Sequence, residues 1–270
     1  MAHPMWVIRF IIKSFPRRFA IARLSKIPGI RNIIDKALFK GDDILFLPQD
    51  VAIDVDKSFD APINMVLPSQ VVEHFIDEAQ CHWIMSWCIC RKSSGCKHYP
   101  VGLGCLFLGE AASKIDPRLG RRVTKEEALE HVKKCRDAGL VQLIGRNKLD
   151  AVWLDVRPSE KLLTICNCCP CCCLWKILPH LHSKISSKVT KMPGVSVCVV
   201  GDCKGCGTCV DNCFVSAIEI VKGKAEITSA CRGCGRCVTT CPENAIRLTI
   251  AGSDSIAESI VRVSSAVDVH

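Results

Sequence analysis

The last third of the chain contains the stretch that decides how the protein is organised. Residues 203–220 read CKGCGTCVDNCFVSAIEI, and residues 231–248, which begin 28 positions later, read CRGCGRCVTTCPENAIRL. Nine of these eighteen aligned positions are identical, and both copies open with cysteines spaced C-x2-C-x2-C-x3-C. The repeat therefore predicts a duplicated unit that presents the same set of thiols twice.

The spacing of these cysteines favours an iron–sulfur cubane. Three thiols separated by two residues each can face one centre, because a short loop returns every third side chain to the same side. Glycines such as Gly205 and Gly207 let the backbone curl and direct N–H groups at the sulfur atoms, which stabilises an anionic cluster. The fourth cysteine of a run is poorly placed to ligate the last iron of the same cluster, and in two-cluster proteins it ligates the other cluster. We therefore predict two [4Fe–4S] clusters, one held by Cys203, Cys206, Cys209 and Cys241 and the other by Cys231, Cys234, Cys237 and Cys213.

With both cysteine runs in place, residues 195–250 resemble a bacterial-type 2[4Fe–4S] ferredoxin domain. The resemblance implies two pseudo-symmetric βαβ-like halves that pass single electrons between neighbouring clusters. One position departs from the family pattern, because Pro242 follows Cys241 as expected whereas Phe214 follows Cys213. We expect this change to alter helix entry or cluster potential without removing a ligand. Zinc bound by C-x2-C pairs and a structural cluster without electron traffic are the alternatives.

The cysteine content of the whole chain is about 8 %, with 21 cysteines among 270 residues. A chain of this length buries a core without disulfides, which excludes a small secreted scaffold. The number is odd and many cysteines are adjacent, which disulfide geometry disfavours. The longest uncharged run, residues 162–175, is shorter than the roughly 20 residues of a membrane-spanning helix. We expect a cytoplasmic protein, with peripheral membrane association as an option, whose thiols bind metal.

A second set of cysteines lies in the middle of the chain, in two groups. One group starts at Cys88 and ends at Cys105, and the other occupies residues 166–173. Neither would hold a cubane well alone, but together they offer ligands for one or two further iron–sulfur clusters. Structural zinc and unligated thiols are the alternatives. The predicted metal ligands are Cys90, Cys96 and Cys105 with Cys168, Cys169 or Cys172, whereas Cys81, Cys135 and Cys198 are predicted to be core residues.

The N-terminal segment, residues 1–40, is strongly basic, with nine Lys and Arg residues against the single acid Asp35. Its apolar residues predict short amphipathic helices that are interrupted at Pro16 and Pro28. Such helices bind an anionic membrane surface, dock a partner subunit, or pack on the protein's own body. The sequence leaves these three interpretations open.

The middle of the chain, residues 41–180, predicts a cysteine-rich α+β domain. An extended lead-in over 41–68 precedes a helix from Ser69, and a capping box at Thr124 starts a second helix. Residues 140–144 and 151–156 favour a hairpin. A linker over 181–193, the ferredoxin-like domain over 195–250 and a polar tail over 251–270 complete an α+β chain with a pseudo-symmetric dicluster C-terminal domain.

These patterns predict an iron–sulfur electron-transfer protein. It would relay single electrons through its two C-terminal clusters and at least one further cluster, as a partner or subunit of a larger redox enzyme in an anaerobic setting. We expect an electron-transfer component rather than the catalytic subunit of an oxidoreductase, and no nucleic-acid partner, since basic–aromatic motifs are absent. One alternative is a ferredoxin-fed reductase with a catalytic iron–sulfur site in the cysteine-rich domain. A redox-sensing regulator with a winged-helix-like element is a weaker alternative.

Overall fold

The computed structural model describes residues 3–53, 67–252 and 254–270 and belongs to the α+β class. Residues 54–66, which fall in the expected extended lead-in, lie outside the described residues. Among the described helices, none combines the length and the apolar character needed to cross a membrane.

The N-terminal segment forms the interrupted amphipathic helices that the sequence predicts. They are α1 (Met5–Ser14), α2 (Arg18–Leu24) and α3 (Ile30–Ile34). The break between α1 and α2 is a 3-10 turn that contains Pro16, a residue that cannot donate an interior helical hydrogen bond. A π-helical turn, Asp35–Phe39, leads into the first strand.

The centre of the molecule is a sheet built from seven strands of the described residues, in the order β4-β2-β3-β6-β5-β1-β7. Neighbouring strands are antiparallel except for the parallel pair β1 and β7. The strands are β1 (Asp43–Phe46), β2 (His82–Met85), β3 (Leu106–Leu108), β4 (Gly120–Val123), β5 (Val141–Arg146), β6 (Leu163–Cys168) and β7 (Val189–Lys191). The helices between them are α4 (Ser69–Glu78), α5 (Ile89–Ser93), α6 (Lys125–Asp137), α7 (Lys148–Leu154) and α8 (Ser183–Ser186).

The two faces of this sheet are covered differently. Leu163 and Ile165 of β6 point into a core that includes residues of α4 and α6. Because side chains alternate along a strand, Cys166 and Cys168 lie on the opposite face. There the sheet packs against the N-terminal helices, through Ala22 of α2 and through other apolar residues of α1. One face is therefore largely apolar, with Gln142 and Asn167 as a buried, hydrogen-bonded polar pair, and the other carries thiols.

The predicted capping box is present at the start of α6. The Thr124 hydroxyl accepts a hydrogen bond from the Glu127 amide at 3.2 Å, and the Glu127 carboxylate accepts one from the Thr124 amide at 3.0 Å. The predicted hairpin is wrong in its second arm, because residues 148–154 form α7 and β5 pairs with β6 instead. The periodicity of so short an apolar run does not distinguish a strand from a helix. Because residues 148–154 are helical, the hairpin of the expected winged-helix-like element is not formed.

The C-terminal part repeats its backbone as well as its sequence. Gly207 and Gly235, 28 residues apart, have φ angles of 82° and 77°, and Ser216 and Asn244, also 28 apart, have 49° and 50°. Strand β8 pairs antiparallel with β11, and β9 with β10. The elements are β8 (Val195–Val199), α9 (Thr208–Asp211), β9 (Ile218–Val221), β10 (Lys224–Ile227), α10 (Arg236–Thr239) and β11 (Ile246–Ile250).

Two predicted segments differ from the structure. The expected linker contains α8 and β7, and β7 extends the central sheet. The expected polar tail contains α11 (Ser255–Ala266), whose Val263 is only 2 % exposed. Apolar residues recur every three or four positions along α11, which buries one helical face against the core formed by α4 and the sheet.

Candidate iron–sulfur and metal sites

The C-terminal part contains a small cavity for each predicted ligand set. Each cavity collects three cysteines of one run and the fourth cysteine of the other run. The first is lined by Cys203, Cys206, Cys209 and Cys241, and the second by Cys213, Cys231, Cys234 and Cys237, each together with neighbouring residues.

Backbone amides point at sulfur atoms in equivalent positions of the two halves. The Ala217 N–H donates to Cys213 Sγ at 3.3 Å, and the Ala245 N–H donates to Cys241 Sγ at 3.4 Å. The Gly233 N–H donates to Cys231 Sγ at 3.4 Å. Such bonds stabilise thiolates, so the donor set and its surroundings fit an anionic iron–sulfur cluster.

Phe214 occupies the position where the family pattern has proline. Its buried ring packs edge-on against Phe46 of β1, with 6.0 Å between the ring centroids. The φ angles of Ser216 and Asn244 are nearly equal, so the backbone after the two fourth cysteines follows the same course. The expected change in helix entry is therefore not found. Phe214 instead anchors the second cavity to the cysteine-rich part.

A compact thiol group, which we call the outer thiol group, lies in the cysteine-rich part. Its members are Cys96, Cys169, Cys171 and Cys172, whose sulfur atoms all lie within 4.8 Å of one another. The Cys171 sulfur is 3.6 Å from that of Cys96, 3.5 Å from that of Cys169 and 3.6 Å from that of Cys172. Among the residues that the structure describes, no other set of three or more potential ligands is this compact. Cys171 was not among the predicted ligands.

The sulfur separations in the outer thiol group match one tetrahedrally coordinated ion. Four thiolates at about 2.3 Å from a metal lie about 3.8 Å from one another. Burial raises the pKa of the Cys96 thiol, but amide N–H groups of His98 and Tyr99 lower it, and the net direction is downward. Cys96 therefore favours the thiolate form that binds a metal ion, whereas burial raises the pKa of the Cys171 and Cys172 thiols.

The other predicted metal ligands, Cys90, Cys105 and Cys168, lie in a separate place. They join Cys88, Cys166 and Cys173, which the prediction omitted, and we call these six residues the inner thiol group. All six line a cavity of about 190 Å³ between the thiol-bearing face of the sheet and the N-terminal helices, and Cys169 of the outer thiol group borders the same cavity. The predicted set is therefore divided between two sites. The division follows from how the fold brings separate segments of the chain together, which a list of cysteines along the chain does not reveal.

The inner thiols interact with one another and with neighbouring polar groups. Hydrogen bonds from Cys105 and Cys168 hold the pKa of Cys166 well below its usual range. Asp150 also lines the cavity and accepts hydrogen bonds from the Asn147 amide and the Trp153 indole. Burial, followed by the charge of Cys166, raises the pKa of Asp150 to about 8.

Two of the three cysteines predicted to be core residues are buried, and the third is exposed. Cys81 and Cys135 are buried as expected. Cys198 is exposed, and the prediction for it is wrong. Only alternate residues of β8 are covered by the core, and Cys198 lies on the uncovered side of that strand.

Comparison with known proteins supports the C-terminal assignment. A family of 4Fe-4S binding domains matches residues 226–247, a range that includes Cys231, Cys234, Cys237 and Cys241. No curated protein and no solved structure matches the chain. The C-terminal part is thus a ferredoxin-type iron–sulfur domain that holds at least one [4Fe–4S] cluster.

Proposed function

We propose that the protein transfers single electrons through two [4Fe–4S] clusters of the bacterial ferredoxin type. The observation that carries this proposal is the pair of cavities, each lined by three cysteines of one run and the fourth of the other. Clusters that exchange ligands in this way lie close together, as electron transfer between them requires. When bound, the clusters supply the electron-carrying chemistry, while the protein sets their separation and surroundings.

The electrons would continue into the cysteine-rich part, which we propose holds at least one further metal centre. The second cavity borders this part through Phe214 and Phe46. A backbone hydrogen bond of 3.1 Å from the Gln49 amide to the Cys234 carbonyl adds a direct link. These contacts place a proposed cluster ligand beside the same sheet that carries the inner thiol group.

A second protein would deliver or accept electrons at the first cavity. Cys206 is exposed there, which brings the edge of the proposed cluster within reach of a redox partner. We therefore propose that the chain works as a partner or subunit of a larger redox enzyme.

We also propose that the N-terminal helices bind an anionic membrane surface. Their inner face packs on the protein through Ile8 and Ala22, yet Trp6, Phe10 and Ile33 are 71 %, 63 % and 69 % exposed. These apolar residues share the segment with nine basic residues. Exposed aromatic and apolar side chains beside lysine and arginine are typical of helices that lie in a membrane interface.

A second candidate function is a reductase that receives its electrons from the ferredoxin-type domain. The cavity of about 190 Å³ beside the inner thiol group favours it, because such a cavity offers space for a small substrate next to a metal centre. If the protein is a reductase, a chemical reductant that reduces the ferredoxin-type domain should drive repeated reduction of a small molecule by the protein alone, whereas a relay should pass electrons only to a protein partner.

The test of the relay uses anaerobically purified full-length protein. Two clusters require about eight iron and eight acid-labile sulfide ions per chain, in addition to any metal in the cysteine-rich part. Cys206→Ala and Cys234→Ala each remove a ligand of a different proposed cluster, and Cys198→Ala is the control. Each of the first two variants should lose one EPR signal of the reduced protein, along with the spin coupling between the clusters. Full iron content and an unchanged spectrum in either variant would contradict the proposal.

A further inference from the structure

We propose that the inner thiol group binds an iron–sulfur cluster at the wall of the large cavity, as a metal centre separate from the outer thiol group. This proposal rests on the proposed electron-transfer function and specifies where its further cluster lies. The thiols come from separate segments that the fold brings together. Cys88 and Cys90 lie at the start of α5, Cys105 lies just before β3, Cys166 and Cys168 lie on β6, and Cys173 precedes a 3-10 helix.

The sheet positions three of these thiols as an array. Cys166 and Cys168 are two residues apart on β6, so their side chains leave the same face. Leu106 of β3 pairs with Ile165 of β6, and this register sets Cys105 opposite Cys166. The array faces the cavity and supplies three ligands of the proposed cluster, while Cys88, Cys90 and Cys173 complete the border of the cavity and offer the fourth.

A buried cation adds an independent argument for thiolates at this place. The Arg91 side chain is fully buried, and no carboxylate of the described residues lies within ion-pair distance of it. Its guanidinium donates to the carbonyls of Asn167, at 2.9 Å, and Leu103. Neutral carbonyls do not balance a buried positive charge, which requires a negative partner.

The groups that surround Arg91 and can carry negative charge are cysteines of both thiol groups: Cys88, Cys105, Cys168 and Cys169. A free thiol is mostly neutral at pH 7, whereas a thiol bound to a metal is deprotonated. The positive charge of Arg91 is therefore balanced by thiolates when metal ions occupy the two thiol groups. Because Arg91 has cysteines of both groups as neighbours, its charge acts on both sites.

The arrangement of the inner thiols favours a cluster over a single ion. The outer thiols are packed sulfur to sulfur around one point, whereas the inner thiols border an open cavity of about 190 Å³. Six thiols also exceed the four ligands of one tetrahedral ion, while a [4Fe–4S] cluster takes four thiolates around a larger centre. The remaining walls are largely apolar and include Phe15 and Trp175.

The proposal is tested by metal analysis of anaerobically prepared full-length variants. In Cys105→Ala/Cys166→Ala we expect a loss of about four iron and four sulfide ions per chain relative to wild type. The EPR signals of the ferredoxin-type domain should remain. In Cys96→Ala/Cys171→Ala we expect the loss of one metal ion without loss of sulfide. Cys81→Ala/Cys198→Ala is the matched control, because Cys81 is buried and Cys198 exposed outside both thiol groups.

Unchanged iron and sulfide in Cys105→Ala/Cys166→Ala would overturn the proposal, as would zinc as the metal that this variant loses. Should the double variant fail to fold, the single variants Cys105→Ala and Cys166→Ala provide the same comparison, and unchanged iron in both single variants would overturn the proposal equally. Absence of the ferredoxin-type EPR signals from wild type would contradict the relay instead. The difference of four iron ions between wild type and Cys105→Ala/Cys166→Ala would still identify the inner site.

Discussion

The Arg236 guanidinium donates hydrogen bonds to the Tyr99 hydroxyl and, at 2.7 Å, to the Gly139 carbonyl. Arg236 lies between the proposed cluster ligands Cys234 and Cys237. Tyr99 packs against the core that contains Cys169 and Cys172 of the outer thiol group. One side-chain pair therefore connects the start of α10 in the ferredoxin-type domain with the surroundings of the outer thiol group.

Replacing Arg236 by glutamine should lower the reduction potential of the proposed cluster beside it. An added electron is stabilised by a nearby positive charge, and a unit charge at roughly 8 Å contributes on the order of 90 mV at an effective dielectric constant of about 20. Redox titration monitored by EPR measures the shift. Tyr99→Phe keeps the ring and the charge and should change the potential little. An unchanged potential in Arg236→Gln would show that this charge does not act on the cluster.

Helix α11 should contribute to stability despite its prediction as a tail. Val263→Ala removes buried methyl groups and should lower the free energy of unfolding by about 2 kcal/mol. Val261 is the matched control, since it lies on the same helix and is 69 % exposed, and its replacement by alanine should cost less than about 0.5 kcal/mol. Denaturant unfolding of both variants measures the difference. Equal destabilisation would show that α11 does not use its buried face.

The stability of the protein should depend on pH through Asp42. Burial raises the pKa of its carboxyl to about 7, whereas an unfolded chain has a value of about 4. The native protein therefore binds a proton that the unfolded chain has released, and this contribution to stability is lost as pH rises from about 4 to 7. The Asp42→Asn variant has no carboxyl to titrate and does not lose this stability. Its free energy of unfolding should therefore rise relative to that of wild type by about 1 kcal/mol between pH 6 and pH 8.

Unfolding measured at both pH values tests the effect of Asp42, and the exposed Asp137, which pairs with Lys133, provides the control as Asp137→Asn. An advantage of Asp42→Asn that stays constant over this range would contradict the assigned pKa.

Binding to vesicles should depend on the exposed aromatic residues of α1. Trp6→Ala/Phe10→Ala should reduce the affinity for vesicles that contain phosphatidylserine by at least tenfold, because two apolar side chains no longer enter the interface. Added salt should weaken binding as well. Val261→Ala, an exposed apolar change far along the chain, is the control. Wild-type protein that does not sediment with anionic vesicles at low salt would exclude the membrane as the target.

The predictions that succeeded concern features carried by neighbouring residues. The capping box at Thr124 requires only Glu127 three positions later, and the breaks near Pro16 and Pro28 follow from proline itself. The errors lie where a short pattern suits two structures. Residues 151–156 form a short, mostly apolar run that suits a strand as well as a helix, and burial of Trp153 and Leu154 against the sheet stabilises a helix. Residues 251–270 include an amphipathic helix, and its apolar face is stabilised by burial against the core that includes α4.

By itself, the sequence determined the duplicated cysteine runs of the ferredoxin-type domain, because their spacing is local and repeats after 28 residues. The division of the remaining thiols was decided only by the tertiary structure. Cys168 ends β6 on the face of the inner group, whereas the adjacent Cys169 turns toward Cys96. Cys169 lies beyond the end of β6, so the course of the chain after this strand and the pairing of β6 with β3 and β5 together determine which segment each thiol meets.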